Sequence, residues 1–354
     1  MDNSLEVIQR KESLLRTLRG LKTKAEGTLQ RCAPLLSFHR GLGMVTPGEV
    51  QRLCQSSARL GQELDDLVNR LRLRQNQAVG RLGGVGAAPG GVHVAADGTV
   101  YVSSNEEPRV TVLSRAGNTQ RVVECATPEG LFLPEDVSLT RAGMVVATDF
   151  PGGKLRVFNP HSRFGAGEWI GLGDFTSPRG VALDSFGRLL VADYQPGRVH
   201  VFGLTSSFGV QSVRAVPGLS GPRYVCGTPD GGFAVSEECG DVKVYDANHK
   251  LLHTLGKKYG HSFGSPAGVC VDAEGSLLVS DEQRRCVVLF PASGSPVPVV
   301  SEGLRRPAGL ACCNRGRLYV ADAADHCVKV FQYRGEKHRR KDTSPDPSPS
   351  NREA

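Results

Sequence analysis

The most regular segment of the chain begins at a proline and ends at an aromatic residue. It reads Pro178-Arg-Gly-Val-Ala-Leu-Asp-Ser-Phe-Gly-Arg-Leu-Leu-Val-Ala-Asp193, followed after three residues by Gly197-Arg-Val-His-Val-Phe202. Residues 181–183, 189–192 and 198–202 are short runs rich in Val and Leu, and turn residues separate them. Such runs predict antiparallel strands, with Gly187 taking the positive φ that a tight turn requires.

This unit recurs six times at a period in the low forties. Its opening residues are Pro89, Pro134, Pro178, Pro222, Pro266 and Pro307. A glycine follows nine residues after each proline, and a polar residue stands six residues after that glycine. These polar residues are Ser104, Asp149, Asp193, Glu237, Asp281 and Asp322. A period of this length is typical of propellers and repeat arrays, and six four-stranded blades close a ring.

Closing the ring needs one more strand than the six copies supply. After the last copy, Phe331 runs into a strongly charged segment that does not suit a buried strand. Residues 78–83, just before the first copy, resemble the fourth-strand segment at residues 251–256. We therefore predict that residues 78–83 form the outer strand of the last blade, which removes an open sheet edge.

The recurring motif resembles the NHL repeat, above all in the Val-Ala-Leu-Asp, Gly-Arg-Leu-Leu-Val-Ala-Asp and Arg-Val-His-Val-Phe segments quoted above. The resemblance implies a six-bladed propeller of the kind often found at the C-terminus of tripartite-motif ubiquitin ligases. We therefore expect an all-β six-bladed NHL β-propeller preceded by a small α-helical, coiled-coil-like module. The expected domains are a helical module at 1–76, the propeller at 77–333 and a disordered, basic, Pro/Ser-rich tail at 334–354.

The helical module contains one regular apolar seam. Thr46-Pro-Gly-Glu49 predicts a helix start, with a capping hydroxyl, a first-turn proline and a returning carboxylate. Apolar residues then recur at 3-4 spacing, interrupted once by a serine: Val50, Leu53, Ser57, Leu60, Leu64, Leu67 and Leu71. The spacing favours a homodimer through residues 50–71, a helical hairpin, or one helix packed on the propeller.

Zinc ligands are scarce before the propeller. Only Cys32, His39 and Cys54 precede it, and a RING or B-box needs four Cys or His ligands for each zinc ion. A ubiquitin-ligase role would therefore need a partner chain that carries the RING. We expect no metal and no cofactor.

The net charge of +7 is unevenly distributed. Residues 1–80 carry 13 basic and 8 acidic side chains, and residues 332–354 carry 6 and 4. The remaining 24 basic side chains are balanced by 24 acidic ones. Proteins that bind phosphate backbones usually have a basic surplus, so this balance weakens the hypothesis of RNA binding by the propeller without removing it.

The repeated acidic residue suggests a structural tie rather than catalysis, because a basic residue follows it at similar spacing in several blades. The expected ties are Asp149 with Lys154, Asp193 with Arg198, and Asp281 with Arg285. A metal-dependent lyase or esterase, a type known among six-bladed propellers, would need paired His and acidic ligands, and no His pair occurs at ligand spacing. We therefore expect no catalytic residues and no enzyme activity.

A rigid disc with variable loops suits binding instead. The loops that enter the inner strands and the loops between second and third strands build one face. Its candidate binding residues are Arg179, Tyr194, Gln195, Arg223, Gln283, Arg284, Arg305 and Arg306. Arg and Tyr suit protein interfaces, and Arg beside aromatic rings also suits single-stranded RNA. The expected partner is a protein, for which a ubiquitin-pathway component is one candidate, and RNA is the alternative ligand.

The sequence also bears on location. It has no signal-peptide pattern and no run of 18 apolar residues, so we expect a cytoplasmic protein that does not contact a membrane. The basic cluster at residues 337–341 leaves a nuclear location open.

Overall fold

The computed structural model describes residues 13–27, 30, 46–160, 169–205 and 210–335. Residues 13–27 form helix α1, and helix α2 spans Pro47–Arg72, as the start signal at residues 46–49 predicts. A short helix, α3, spans Leu255–Tyr259. None of the helices in the described ranges combines the length and the apolarity that crossing a membrane requires.

Four-stranded antiparallel sheets form the six predicted blades. Strand β1 is Ala78–Leu82. Blade 1 contains β2 (Pro89–Val94), β3 (Val100–Ser104), β4 (Arg109–Leu113) and β5 (Thr119–Glu124), and a small hairpin of β6 (Ala126–Thr127) and β7 (Gly130–Leu131) follows it. Blade 2 contains β8 (Pro134–Leu139), β9 (Val145–Asp149), β10 (Lys154–Phe158) and β11 (Trp169–Leu172). Blade 3 contains β12 (Pro178–Leu183), β13 (Leu189–Asp193), β14 (Arg198–Leu204) and β15 (Val210–Pro217).

The remaining three blades repeat this order. Blade 4 contains β16 (Pro222–Gly227), β17 (Phe233–Glu237), β18 (Val242–Tyr245) and β19 (Leu251–Thr254). Blade 5 contains β20 (Pro266–Val271), β21 (Leu277–Asp281), β22 (Cys286–Phe290) and β23 (Val297–Val300). Blade 6 contains β24 (Pro307–Cys312), β25 (Arg317–Asp322), β26 (Cys327–Gln332) and β1. The all-β six-bladed fold is therefore confirmed.

The ring closes as the sequence predicts. Strand β1 pairs antiparallel with β26, so that Arg81 lies opposite Lys329 and Leu82 opposite Val328. The predicted outer strand of the last blade is therefore confirmed. One residue of the expected tail also belongs to the closed ring: Arg334 is buried and forms an isolated bridge with Leu73. The rest of that tail, from residue 336 onward, lies outside the described residues.

Apolar clusters between neighbouring blades stabilise the ring. In one of them, Leu278 and Leu289 of blade 5 pack with Leu318 and Phe331 of blade 6, and all four side chains are buried. Burying one such side chain stabilises a fold by about 1.5–3 kcal/mol. Because the core lies between the blades, the loops at the two ends of the strands are not needed to build it and are available for binding.

The inner strands approach closely around a central channel. A Cβ atom on Gly180 would lie 2.5 Å from the carbonyl oxygen of Arg223 in the next blade, so only glycine fits there. Blades 2 and 4 carry Asp136 and Tyr224 at the equivalent position. The Tyr224 hydroxyl donates a hydrogen bond across the channel to the Gly90 carbonyl oxygen (3.2 Å). These two side chains narrow the channel.

Helix α2 packs on blade 5, as one of the three interpretations of the seam expects. Its Asp66 accepts hydrogen bonds from the backbone N–H (2.5 Å) and the hydroxyl (3.0 Å) of Ser295. Helix α1 lies against α2 through an ion pair between Lys22 and Asp65, which also fits a helical hairpin. The seam itself remains partly uncovered, because Leu60 is 66% exposed.

Candidate protein-binding face

The upper face is defined here as the side of the ring at which the inner strands begin. The repeated acidic residues fix its loops. Asp193 accepts an N–H hydrogen bond from Ser177 (2.6 Å), and Asp281 accepts one from Gly264 (2.6 Å) in the corresponding loop. Asp322 accepts one from Arg305 (2.9 Å). Buried carboxylates with such bonds hold the loops in one geometry, which a binding surface needs.

The cationic partners of these acids differ from those expected. Asp149 forms its ion pair with Arg156 (2.9 Å), whereas Lys154 pairs with Asp174. Lys154 lies directly opposite Asp149 in the sheet register, and Arg156 lies two residues further along the same strand. Side chains two residues apart share one face of a strand, so a diagonal partner can compete with the direct one.

Blades 3 and 5 show the same kind of change. Asp193 pairs with His200 (3.2 Å) rather than with Arg198, whose Nε atom is buried without a hydrogen-bond partner. Asp281 lies 3.8 Å from Arg284 rather than pairing with Arg285. Burial works to raise the pKa of Asp193, but the hydrogen bonds from His200 and from the loop N–H groups outweigh it and lower the pKa.

Three of the eight candidate binding residues lie together on the upper face. The Arg179 guanidinium lies 4.3 Å from the centre of the Tyr194 ring and 3.5 Å from the Glu135 carboxylate. The Tyr194 hydroxyl donates a hydrogen bond to Glu238, and this bond raises the pKa of Tyr194. In the next blade, Arg223 lies at Arg179's position in the repeat.

The second arginine completes a connected set of charges. Arg223 donates a hydrogen bond to Glu282 (2.9 Å). We call this set the polar cluster, consisting of Glu135, Arg179, Tyr194, Arg223, Glu238 and Glu282. Burial raises the pKa of Glu135, and the positive charges of Arg179 and Arg223 oppose the rise. The side chains of Arg179 and Arg223 are 21% and 14% exposed, and the Nε atom of each is buried without a hydrogen-bond partner.

The other five candidates are exposed residues of the same face. Gln195 and Gln283 are exposed, and they directly follow Tyr194 and Glu282 of the polar cluster along the chain. Arg306 is exposed, and the Arg305 side chain is 68% exposed, although its guanidinium lies 3.3 Å from Asp325. Arg284, beside Asp281, is also exposed. Positive charge therefore persists mainly beside blades 5 and 6.

The sequence reasoning missed the three glutamates of the polar cluster. A signal for them existed, because Glu135 follows the repeat proline as Arg179 and Arg223 do. Glu238 and Glu282 each follow the acidic residue that ends the second strand. Comparing these positions between blades would have shown that acidic and basic side chains share them, and adjacent blades bring such positions together.

The channel below the upper face holds a cavity of about 160 Å³. Asp136 lines it and accepts an N–H hydrogen bond from Val181 (2.8 Å); burial raises the pKa of Asp136 to about 7. Burial lowers the pKa of His93, also in the channel, to about 4. Across the ranges that the structure describes, no three His, Cys, Asp or Glu side chains are grouped so as to hold a metal ion.

Solved structures share the propeller at low sequence identity. The chain is 14% identical to a streptogramin B lyase, with a TM-score of 0.53 over 73% of this chain and 87% of that one. It is also 14% identical to a luciferin-regenerating enzyme, with a TM-score of 0.55 over 73% of this chain and 96% of that one. At this identity the likeness shows the fold alone.

Sequence comparisons identify the family more specifically than the solved structures do. The NHL repeat family profile matches residues 175–202 and 304–331, which include most of the first three strands of blades 3 and 6. The chain is 35% identical over 104 residues to the E3 ubiquitin-protein ligase TRIM32 of Mus musculus, which covers 29% of this chain and 15% of the ligase. It is 53% identical over 115 residues to NHL-repeat-containing protein 4 of Homo sapiens, covering 32% of this chain and 94% of that protein. For the Mus musculus protein of that description, identity is 57% over 119 residues, covering 34% of this chain and 88% of that protein. These two alignments cover about a third of this chain but nearly the whole length of the two NHL-repeat-containing protein 4 sequences, and the chain therefore belongs to the NHL-repeat protein family.

Proposed function

We propose that this chain is a noncatalytic scaffold that binds a protein partner on the upper face of its propeller. The observation that carries the proposal is the polar cluster. Arg179 and Arg223 are largely buried, held by carboxylates, and each keeps a buried Nε donor without a partner. Pre-positioned Arg and Tyr side chains of this kind are typical of the residues that dominate protein interfaces.

A role in ubiquitin ligation is the finer form of this proposal. The chain is similar to the E3 ubiquitin-protein ligase TRIM32 of Mus musculus over 104 residues. In this role the propeller would select the substrate, and another chain would supply the RING. Cytoplasmic or nuclear location belongs to the same proposal.

The first test compares partner capture by variants of the full chain. Arg179→Ala combined with Arg223→Ala should weaken binding of the partner by about tenfold or more, because such residues contribute about 2 kcal/mol or more each. Arg141→Ala is the matched control: this arginine is on the opposite face and donates to the Ser185 carbonyl oxygen. Captured protein is quantified by mass spectrometry, and equal loss with Arg141→Ala would contradict the proposal.

Single-stranded RNA is the second candidate, favoured by the exposed Arg305 and Arg306. The guanidinium groups of Arg179 and Arg223 are paired with carboxylates, so they offer less positive charge to phosphates than unpaired arginines would. We expect weak RNA binding that falls steeply with salt, since phosphate contacts release counterions. Filter binding with mixed RNA at two salt concentrations measures this. Submicromolar, sequence-selective affinity that is lost when Arg223, Arg305 and Arg306 become Ala would favour RNA as the natural ligand.

Self-association through α2 is a further part of the proposal. Leu60 is 66% exposed and Leu67 is 40% exposed, seven residues apart on the same helix. If they pair with a second copy, Leu60→Asp combined with Leu67→Asp should convert a dimer into a monomer, because unpaired carboxylates are costly to bury. Gln62→Asp on the exposed side is the control. Sedimentation velocity measures the oligomeric state of the wild type and both variants. A monomeric wild-type chain would show that the seam of α2 does not pair with a second copy.

A further inference from the structure

A second, separate surface lies on the lower face, opposite the polar cluster. There the turn at residues 95–98 of blade 1 and the turn at residues 313–316 of blade 6 border a cavity of about 730 Å³. Three arginines line it: Arg115, Arg315 and Arg317. Sites for small molecules commonly have volumes of about 300–1,000 Å³, so the cavity is large enough for a ligand.

The arginines of the cavity act on the same polar groups. Burial raises the pKa of the Tyr319 hydroxyl, and the positive charges of Arg317 and Arg115 oppose the rise. Burial likewise raises the pKa of the Cys313 thiol, and the positive charges of Arg317 and Arg115 again oppose the rise. Arg115 and Arg317, which both line the cavity, therefore act electrostatically on the same two polar groups.

The formal charge of the cavity follows from the described residues that line it. Among the described residues that line it, Asp97 is the only acidic one, and its carboxylate accepts the N–H of Thr99 (2.8 Å) within its own turn. Among the described residues, Arg115 and Arg315 form no ion pair, and both side chains are exposed. Arg115 and Arg315 therefore face the single carboxylate of Asp97, and these three described residues carry a formal surplus of one positive charge.

Positive charge on the lower face is local rather than spread along it. In the neighbouring turns, Arg141 donates to the Ser185 carbonyl oxygen and Arg188 forms an ion pair with Asp184 (2.5 Å). A nucleic-acid strand needs a continuous row of phosphate contacts, whereas one compact polyanion needs a single basic cavity. The distribution of charge therefore favours a small ligand.

We propose that the lower cavity binds a small polyanion carrying phosphate groups, held by Arg115 and Arg315 with Arg317 behind them. The planar guanidinium group can donate two parallel N–H bonds to phosphate oxygens. The Tyr319 hydroxyl stays protonated at neutral pH and is a further donor on the wall. This site shares no residue with the polar cluster, so a negative result for polyanion binding would not contradict the proposal of protein binding on the upper face.

The test is isothermal titration of the full chain with inorganic pyrophosphate at constant ionic strength. We expect one binding site, and at least about tenfold weaker binding for Arg115→Gln combined with Arg315→Gln, because charge-assisted hydrogen bonds to phosphate are lost. Arg141→Gln, on the same face but outside the cavity, should bind as the wild type does. Both replaced cavity residues are exposed, and an unchanged melting temperature verifies that the double variant folds.

A second readout is chemical. Bound pyrophosphate should slow alkylation of Cys313 by iodoacetamide, measured by peptide mass spectrometry, and should leave the rate at the exposed Cys239 unchanged. Adenosine diphosphate and inositol hexakisphosphate are then compared, and binding of either that requires Arg115 and Arg315 supports the site and identifies its source. No heat with millimolar pyrophosphate, or equal weakening by Arg141→Gln, would overturn the proposal.

Discussion

Deleting residues 1–84 is expected to lower the melting temperature of the propeller by about 10 °C or more, whereas deleting residues 1–70 should change it little. The longer deletion removes β1, which pairs with β26 from Ala78 to Leu82. It also removes Leu73, which is buried between blades 5 and 6. Blade 6 would then expose the edge of β26 along its whole length.

The shorter deletion is the matched control, because it removes helix α1 and most of α2 and keeps the closing strand. Thermal unfolding followed by circular dichroism measures both proteins. Equal melting temperatures would show that β1 contributes little to closure. Increased self-association of the longer deletion is expected as well, since an unpaired strand edge can bind another chain.

Replacing Arg334 with Ala is expected to reduce the free energy of unfolding by about 3–5 kcal/mol. Its guanidinium donates hydrogen bonds to Asp272 (2.8 Å), Glu274 (2.8 Å) and the Ser276 hydroxyl (3.1 Å). Asp272 and Arg334 are both buried. Removing the cation leaves a buried carboxylate without its charge partner, which costs far more than losing an exposed pair.

Arg305→Ala provides the comparison, because its ion pair with Asp325 is exposed and should contribute less than about 1 kcal/mol. Urea unfolding measured on both variants gives the two free-energy changes. A cost for Arg334→Ala as small as that for Arg305→Ala would show that the blade 5 contact is not a stabilising tie. The double change Arg334→Ala with Asp272→Asn should cost less than the sum of the two single changes.

Local pattern was sufficient for the blades themselves. Each inner strand begins at its repeat proline, and Gly187 has a φ of 82° as its turn requires. The closing strand was also predictable, because residues 78–83 share the apolar pattern of a fourth strand and the last copy lacks one. Repetition makes these features readable, since six copies report the same backbone geometry.

Which side chains meet was decided only by the tertiary structure. Spacing placed Asp149 with Lys154, but the sheet offers Arg156 on the same face of the strand. Sequence alone could not join Glu135 to Arg179, because these residues are 44 positions apart and meet only when adjacent inner strands pack.

The repeat, the number of blades and the way the ring closes were predictable from the sequence alone, because they follow from local hydrophobic pattern and turn chemistry. The polar cluster, the lower arginine cavity and the burial of Arg334 depended on the ring. Each joins residues of different blades, and closing the ring brings together groups that are distant in sequence.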